Sequence, residues 1–124
     1  MVFEMETPRR KVLIVEDEAL IRMTTVDMLE ELGHSFVEAG TGQEALDRLA
    51  EDTDIDVLLT DLGLPGMSGQ DLILEAFKRR PELQVLVVSG RAPDQSIPGV
   101  ETGQVKFLSK PYQMSQLGDA LAHI

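Results

Sequence analysis

Apolar and polar positions fall into a repeating block pattern along this chain. Short leucine-rich or β-branched runs stand at residues 12–15, 35–39, 56–60, 84–88 and 105–108. Runs of four or five such residues predict strands buried on both faces. Between them lie stretches with helical spacing. Residues 18–32 carry Ile21, Met28, Leu29 and Leu32 on one expected face, and Gly33 is placed to end that helix. Thr41 or Gly42 opens a second helix with Ala45, Leu46 and Leu49 facing inward. Ser68 is placed to cap a helix over 69–80, with Asp71 as its acidic partner and Pro81 beyond its end. A last helix is predicted over 113–122, with Met114, Leu117 and Leu121 on one face. Strand and helix in alternation predict a doubly wound α/β sheet of five parallel strands with right-handed crossovers. The exception is Gly90 to Gly103, where Pro93, Pro98 and Gly99 predict an irregular or shortened fourth helix.

Composition narrows the picture. With 124 residues, 43% of them hydrophobic, the chain suffices for one core. Residues 11–124 are expected to form a single domain, and residues 1–10 a flexible leader without a signal peptide's apolar stretch. No run approaches a membrane span. Cysteine is absent, which removes disulfides and thiolate metal sites and fits a cytoplasmic location. The net charge of −11 makes nucleic acid a poor partner, because phosphate backbones need clustered Lys and Arg.

The chemistry-bearing residues collect where the predicted strands end. Glu16 and Asp17 follow the first run, Asp61 the third, Ser89 the fourth and Lys110-Pro111 the fifth. In an open parallel sheet the carboxyl edge is where ligands bind. Singly, each residue also reads as a turn, a helix-start acid or a surface lysine. Together, crowded carboxylates repel unless a cation sits among them, which points to a divalent metal site with one carboxylate left for chemistry.

The ordered set Val12–Glu18 (VLIVEDE), Val57–Gly69 (VLLTDLGLPGMSG), Val87–Gly90 (VVSG) and Phe107–Tyr112 (FLSKPY) resembles the receiver domain of two-component response regulators. The likeness runs from Lys11 to Leu121. It implies a flavodoxin-like fold with strand order 2-1-3-4-5, and a role as signalling switch rather than metabolic enzyme. By this resemblance Asp61 is the phosphoacceptor. Asp17 binds Mg²⁺ directly and Glu16 through water, with Asp61 and the backbone carbonyl of Gly63 completing the protein's donors. Ser89 and Lys110 meet the phosphoryl group, Pro111 follows through a cis bond, and Ser89 and Phe107 form the switch pair. The implied partners are a sensor histidine kinase or histidine phosphotransfer protein upstream and an unknown protein downstream. His34 and His123 are not placed for catalysis.

The residues also speak against three rival functions. An aspartyl-phosphate phosphatase of the haloacid-dehalogenase type needs a second Asp two residues after the nucleophile, where Gly63 stands. A phosphorylation-independent interaction module has no use for the full acidic and basic set. A flavodoxin-like cofactor binder needs a phosphate-cradling loop after the first strand, where Glu16-Asp17-Glu18 is electrostatically wrong. By the resemblance, the positions of Gly63 and Arg91 flank the site and influence phosphoryl lifetime.

Overall fold

The apolar runs become five parallel strands: β1 (Lys11–Val15), β2 (Ser35–Ala39), β3 (Val57–Asp61), β4 (Gln84–Ser89) and β5 (Val105–Ser109). They form one sheet in the order β2-β1-β3-β4-β5, as expected from the resemblance. This is a computed structural model in which residues 9–90 and 97–124 are described. The strands are flanked by α1 (Ala19–Glu31), α2 (Gly42–Glu51), α3 (Gly69–Arg79) and α4 (Met114–Ala122).

Both sheet faces are covered, which is why the strands read as continuous apolar runs rather than as alternating ones. Leu13, Val15, Leu58, Val85 and Val87 point into a core shared with Ala45, Leu46 and Leu49 of α2 and Leu72, Ile73 and Ala76 of α3. Val12, Ile14, Val57, Leu59, Leu86 and Val88 face the other way, onto Leu29 of α1 and Leu117 and Leu121 of α4. Local signals start the helices. Thr41 Oγ1 accepts the Glu44 N–H at 3.1 Å, and Ser68 Oγ accepts the Asp71 N–H at 3.1 Å. Gly33, at φ +86°, ends α1 in a conformation that side chains with a Cβ resist.

Some expectations need correction. Ile21 is exposed, together with Leu20 and Met23, so α1 is apolar on several sides and buries only Thr25 and Leu29 fully. Met114 is likewise exposed on α4. Asp61 and Ser89 end their strands rather than following them, because Asp61 still pairs with Val88 and Ser89 with Ser109. In the β4–β5 connection, residues 97–103 form successive turns with no helix, and Arg91 and Pro93 lie outside the described residues. The turns are anchored by Ile97, 2% exposed, and by Gly99 at φ +90°. A Cβ on Gly99 would sit 2.9 Å from the Phe77 ring, so only glycine fits there.

Of the expected leader, residues 1–8 lie outside the described residues. Arg10 is tied to the domain. Its backbone N–H donates to His34 Nδ1 at 2.9 Å, and its guanidinium donates to the carbonyls of Leu121 and Ile124. His34 is therefore a buried acceptor, 6% exposed. Burial, with the charges of Arg10 and Arg9, holds its pKa below the usual imidazole value. A depressed folded pKa means that stability is complete above the unfolded value, about 6.5, and drains as pH falls through and below it. Urea unfolding at pH 7.5 and 5.5 should show wild type losing more stability than His34→Gln, whose amide oxygen still accepts. An equal loss in both would remove His34 from the account. Among the described residues no helix is long and apolar enough to cross a membrane.

Candidate functional site at the carboxyl edge of the sheet

The strand register brings the chemistry together. Val15 pairs with Ala39 and Thr60, and Ser89 with Ser109, so the central strands finish nearly level. Glu16 leaves β1, Asp61 ends β3, and Lys110 leaves β5 at this one edge. Lys110 Nζ lies 2.5 Å from Asp61 Oδ2 and 3.7 Å from Glu16 Oε1. Asp61 Oδ1 accepts the Gly63 N–H at 3.1 Å, and Glu16 Oε2 accepts the Glu18 N–H at 3.1 Å.

Burial acts on every member of this cluster. It pushes the Asp61 carboxyl up, but the Lys110 hydrogen bond and charge and the Gly63 N–H outweigh it, and the group stays below its ordinary value. Burial pulls the Lys110 ammonium down, and its bonds to Asp61 and Glu16 reverse that and raise it. Asp61 is consequently an anion and Lys110 a cation at neutral pH. Glu16 differs: it is 5% exposed, and burial, the nearby Asp17 and the Asp61 charge raise its pKa despite the Glu18 N–H and Lys110. A carboxylate held at such cost is short of positive charge.

Asp17 is exposed. Among the described residues no three acidic or histidine side chains converge into a metal cage. The oxygen-bearing groups that this edge offers are nonetheless hard: the carboxylates of Asp61 and Glu16, both within reach of Lys110 Nζ, the Asp17 carboxylate next in the chain, and the peptide groups of Gly63, whose N–H bonds Asp61. Mg²⁺ takes one or two carboxylates and keeps several waters, so this set fits Mg²⁺ without a full cage and suits no thiophilic metal.

Ser89 and Phe107 lie on one side of the site. Ser89 is 8% exposed, and its carbonyl accepts the Lys110 N–H at 2.9 Å, which joins the ends of β4 and β5. Phe107 pairs with Val87 and packs, half-buried, on the core that also holds Val85 and Val87. Strand alternation puts Ser89 and Phe107 on the same sheet face.

Three features escaped the sequence reading. Gly69, the first residue of α3, is packed so tightly that a Cβ would lie 2.5 Å from the Asp61 carbonyl oxygen and 2.6 Å from Leu62 Cα. Its N–H closes the loop on the Leu62 carbonyl at 3.0 Å. Thr25 Oγ1 and the Tyr112 hydroxyl share a 2.6 Å hydrogen bond that fastens the loop carrying Lys110 to α1. Arg22 bonds the carbonyl of Glu16. None of these contacts joins sequence neighbours, so the only available signals were a glycine at a helix start and polar residues on a helix.

With this geometry in hand, the comparisons with known proteins are specific. A family model described as "Response regulator receiver domain" matches residues 12–122. The two-component response regulator PhoP of Pseudomonas aeruginosa is 38% identical over 108 residues, covering 86% of this chain and 48% of that protein. The chemotaxis protein CheY of Thermotoga maritima is 32% identical over 114 residues, covering 90% of this chain and 94% of that one. The crystal structure of a response regulator receiver domain protein from Clostridium thermocellum superposes with a TM-score of 0.83 at 29% identity, covering 92% of each chain. The chain thus spans about half the length of PhoP and nearly all of CheY.

Proposed function

Because this chain belongs to the response regulator receiver domain family, we propose that it accepts a phosphoryl group on Asp61 from a phosphohistidine and thereby switches a partner-binding surface. Receiver domains are signalling domains rather than metabolic enzymes, and they work with histidine kinases or phosphotransfer partners. They generally bind Mg²⁺ at the phosphorylation site. The observation that carries the proposal is Asp61 at the ligand-binding edge with the Lys110 Nζ 2.5 Å from its carboxylate.

In the proposed step, one carboxylate oxygen of Asp61 bonds to phosphorus as the P–N bond to the donor imidazole breaks. The electron pair leaves with the imidazole, and the product is an acyl phosphate. Lys110 already sits on Asp61 Oδ2 and can pass to a phosphoryl oxygen with little movement, supplying charge where charge develops. The Gly63 N–H holds the other carboxylate oxygen and so fixes the angle of attack. Mg²⁺, held by Asp17, Asp61 and the Gly63 carbonyl with Glu16 through water, would neutralise the crowded oxygens of carboxylate and phosphoryl group. Gly63 has no side chain to act as a general acid or base, which counts against the turnover of an aspartyl-phosphate phosphatase.

The resulting charge of roughly −1.5 to −2 draws donors toward it. Ser89 follows Val88, the strand partner of Asp61, and in this reading its hydroxyl turns to the phosphoryl group while Phe107 on the same sheet face rearranges with it, changing the surface presented to a downstream protein. Upstream, the donor is a sensor histidine kinase or a histidine phosphotransfer protein, and the location is cytoplasmic. Incubation with acetyl phosphate and Mg²⁺ should add the mass of one phosphoryl group, and hydroxylamine should remove it as from any acyl phosphate. EDTA should suppress the gain. A gain undiminished by EDTA, or one stable to hydroxylamine, would overturn the proposal.

A further inference from the structure

Arg22 stands in the first turn of α1, where a cation opposes the helix dipole. Helices in water favour acids there, yet α1 has none in its first turn, and its N-cap residue, Glu18, makes no side-chain cap bond. The compensation for Arg22 lies across the sheet edge. Its Nη1 donates to the main-chain carbonyl of Glu16 at 2.6 Å, and its Nε pairs with Glu38 Oε1 on β2 at 3.1 Å. Arg22 is only about a quarter exposed. One planar guanidinium thus bridges β2 and the turn that leaves β1 for α1.

That turn is Glu16-Asp17-Glu18. It is held elsewhere by the Glu16 N–H on the Ala39 carbonyl at 3.1 Å and by the Glu18 N–H on Glu16 Oε2. The Arg22 bond is the contact that sets the tilt of the peptide between Glu16 and Asp17, because it holds that peptide's carbonyl oxygen. Tilting the peptide swings the Asp17 side chain and moves the Glu16 carboxylate relative to Asp61.

We propose that Arg22 is a positioning residue for the proposed Mg²⁺ site, aiming the Glu16–Asp17 pair by clamping its shared peptide to Glu38. This rests on the function proposed above but concerns a residue that touches neither phosphoryl group nor metal. Charge alone predicts the opposite sign. Removing a nearby cation should tighten binding of a divalent cation by simple electrostatics. Removing a positioning contact should weaken it, and loss of an outer partner costs about tenfold at the low end.

The test compares Mg²⁺ titrations of wild type, Arg22→Gln and Arg22→Lys by calorimetry, with amide hydrogen exchange of the metal-free proteins. Lysine keeps the charge but cannot span Glu38 and the Glu16 carbonyl with one planar group. Positioning predicts a roughly tenfold weaker Mg²⁺ affinity in both variants. It also predicts faster exchange at the Glu18 amide while Leu58 in the core is unchanged. Tighter binding in Arg22→Gln with Arg22→Lys like wild type would show a bystander charge and overturn the inference. So would unchanged affinity with only a lower melting temperature. If wild type itself binds no Mg²⁺, the proposed function falls, and the Glu18 amide alone then decides on Arg22: unaltered exchange sinks it.

Discussion

Asp61→Asn is expected to gain no phosphoryl group from acetyl phosphate and Mg²⁺ under conditions that convert wild type completely. The carboxamide has the shape of the carboxylate and can still take the Gly63 N–H on its oxygen. It lacks the anionic oxygen that attacks phosphorus. The fold should survive the exchange. Asp61 is about a fifth exposed at the sheet edge rather than in the core, and Lys110 retains Glu16 at 3.7 Å as a counter-charge. Glu16 also loses an anionic neighbour that raises its pKa. Thermal unfolding should therefore show a change within about 1 kcal/mol, the range of partly exposed ion pairs, beside a total loss of phosphorylation. Mass spectrometry after acetyl phosphate treatment decides. Hydroxylamine-sensitive label on the Asn variant would disqualify Asp61 as acceptor and redirect attention to another carboxylate of the edge.

Gly69→Ala is expected to damage stability and phosphorylation together. An added methyl would meet the Asp61 carbonyl oxygen at 2.5 Å and Leu62 Cα at 2.6 Å, and both are backbone atoms that cannot rotate aside. Either α3 moves off the sheet or the end of β3 moves with Asp61. Overpacking of this kind costs ~1–3 kcal/mol, and two main-chain clashes place this case at the upper end. The displaced Asp61 would lose register with Lys110, so phosphorylation should slow by an order of magnitude or more even in the fraction that remains folded, since about an ångström of misplacement costs roughly a hundredfold in well-aligned chemistry. Urea unfolding and the rate of acetyl phosphate labelling measure the two effects. Wild-type values in both would mean that the loop relaxes freely. Gly66→Ala is a useful contrast: its φ of +77° strains any other residue, but a Cβ there meets nothing within 4 Å, so the cost should be backbone strain alone.

The legible and illegible parts of this protein divide along a physical line. Strand runs at 12–15 and 84–88 were readable because a parallel sheet buried on both faces demands unbroken apolar sequence. The caps at Thr41, Ser68 and Gly33 were readable because each acts on backbone within a few residues. The exposure of Ile21 was not. Spacing gives an apolar face of α1 but not which side meets the sheet, and an apolar residue outside the packed stripe looks the same in sequence. For the connection between β4 and β5, Pro93, Pro98 and Gly99 predict an irregular or shortened helix; residues 97–103 form turns instead, and their anchoring on Phe77 was not legible.

Sequence alone determined the alternation of strand and helix, and with it that Glu16, Asp17, Asp61, Ser89 and Lys110 belong to strand ends. Those are consequences of local burial and backbone preference, written within windows of a few residues. Tertiary structure decided that Lys110 pairs with Asp61 rather than standing in solvent, that Glu16 is buried beside it, that Gly69 has no room for a methyl, and that Arg22 reaches back to the Glu16 carbonyl. The Lys110 pairing with Asp61 and Glu16 depends on the register of parallel strands separated by whole helices, and the Gly69 and Arg22 contacts depend on how each helix packs back against the end of the strand before it, so these distances of a few ångströms are set by tertiary packing.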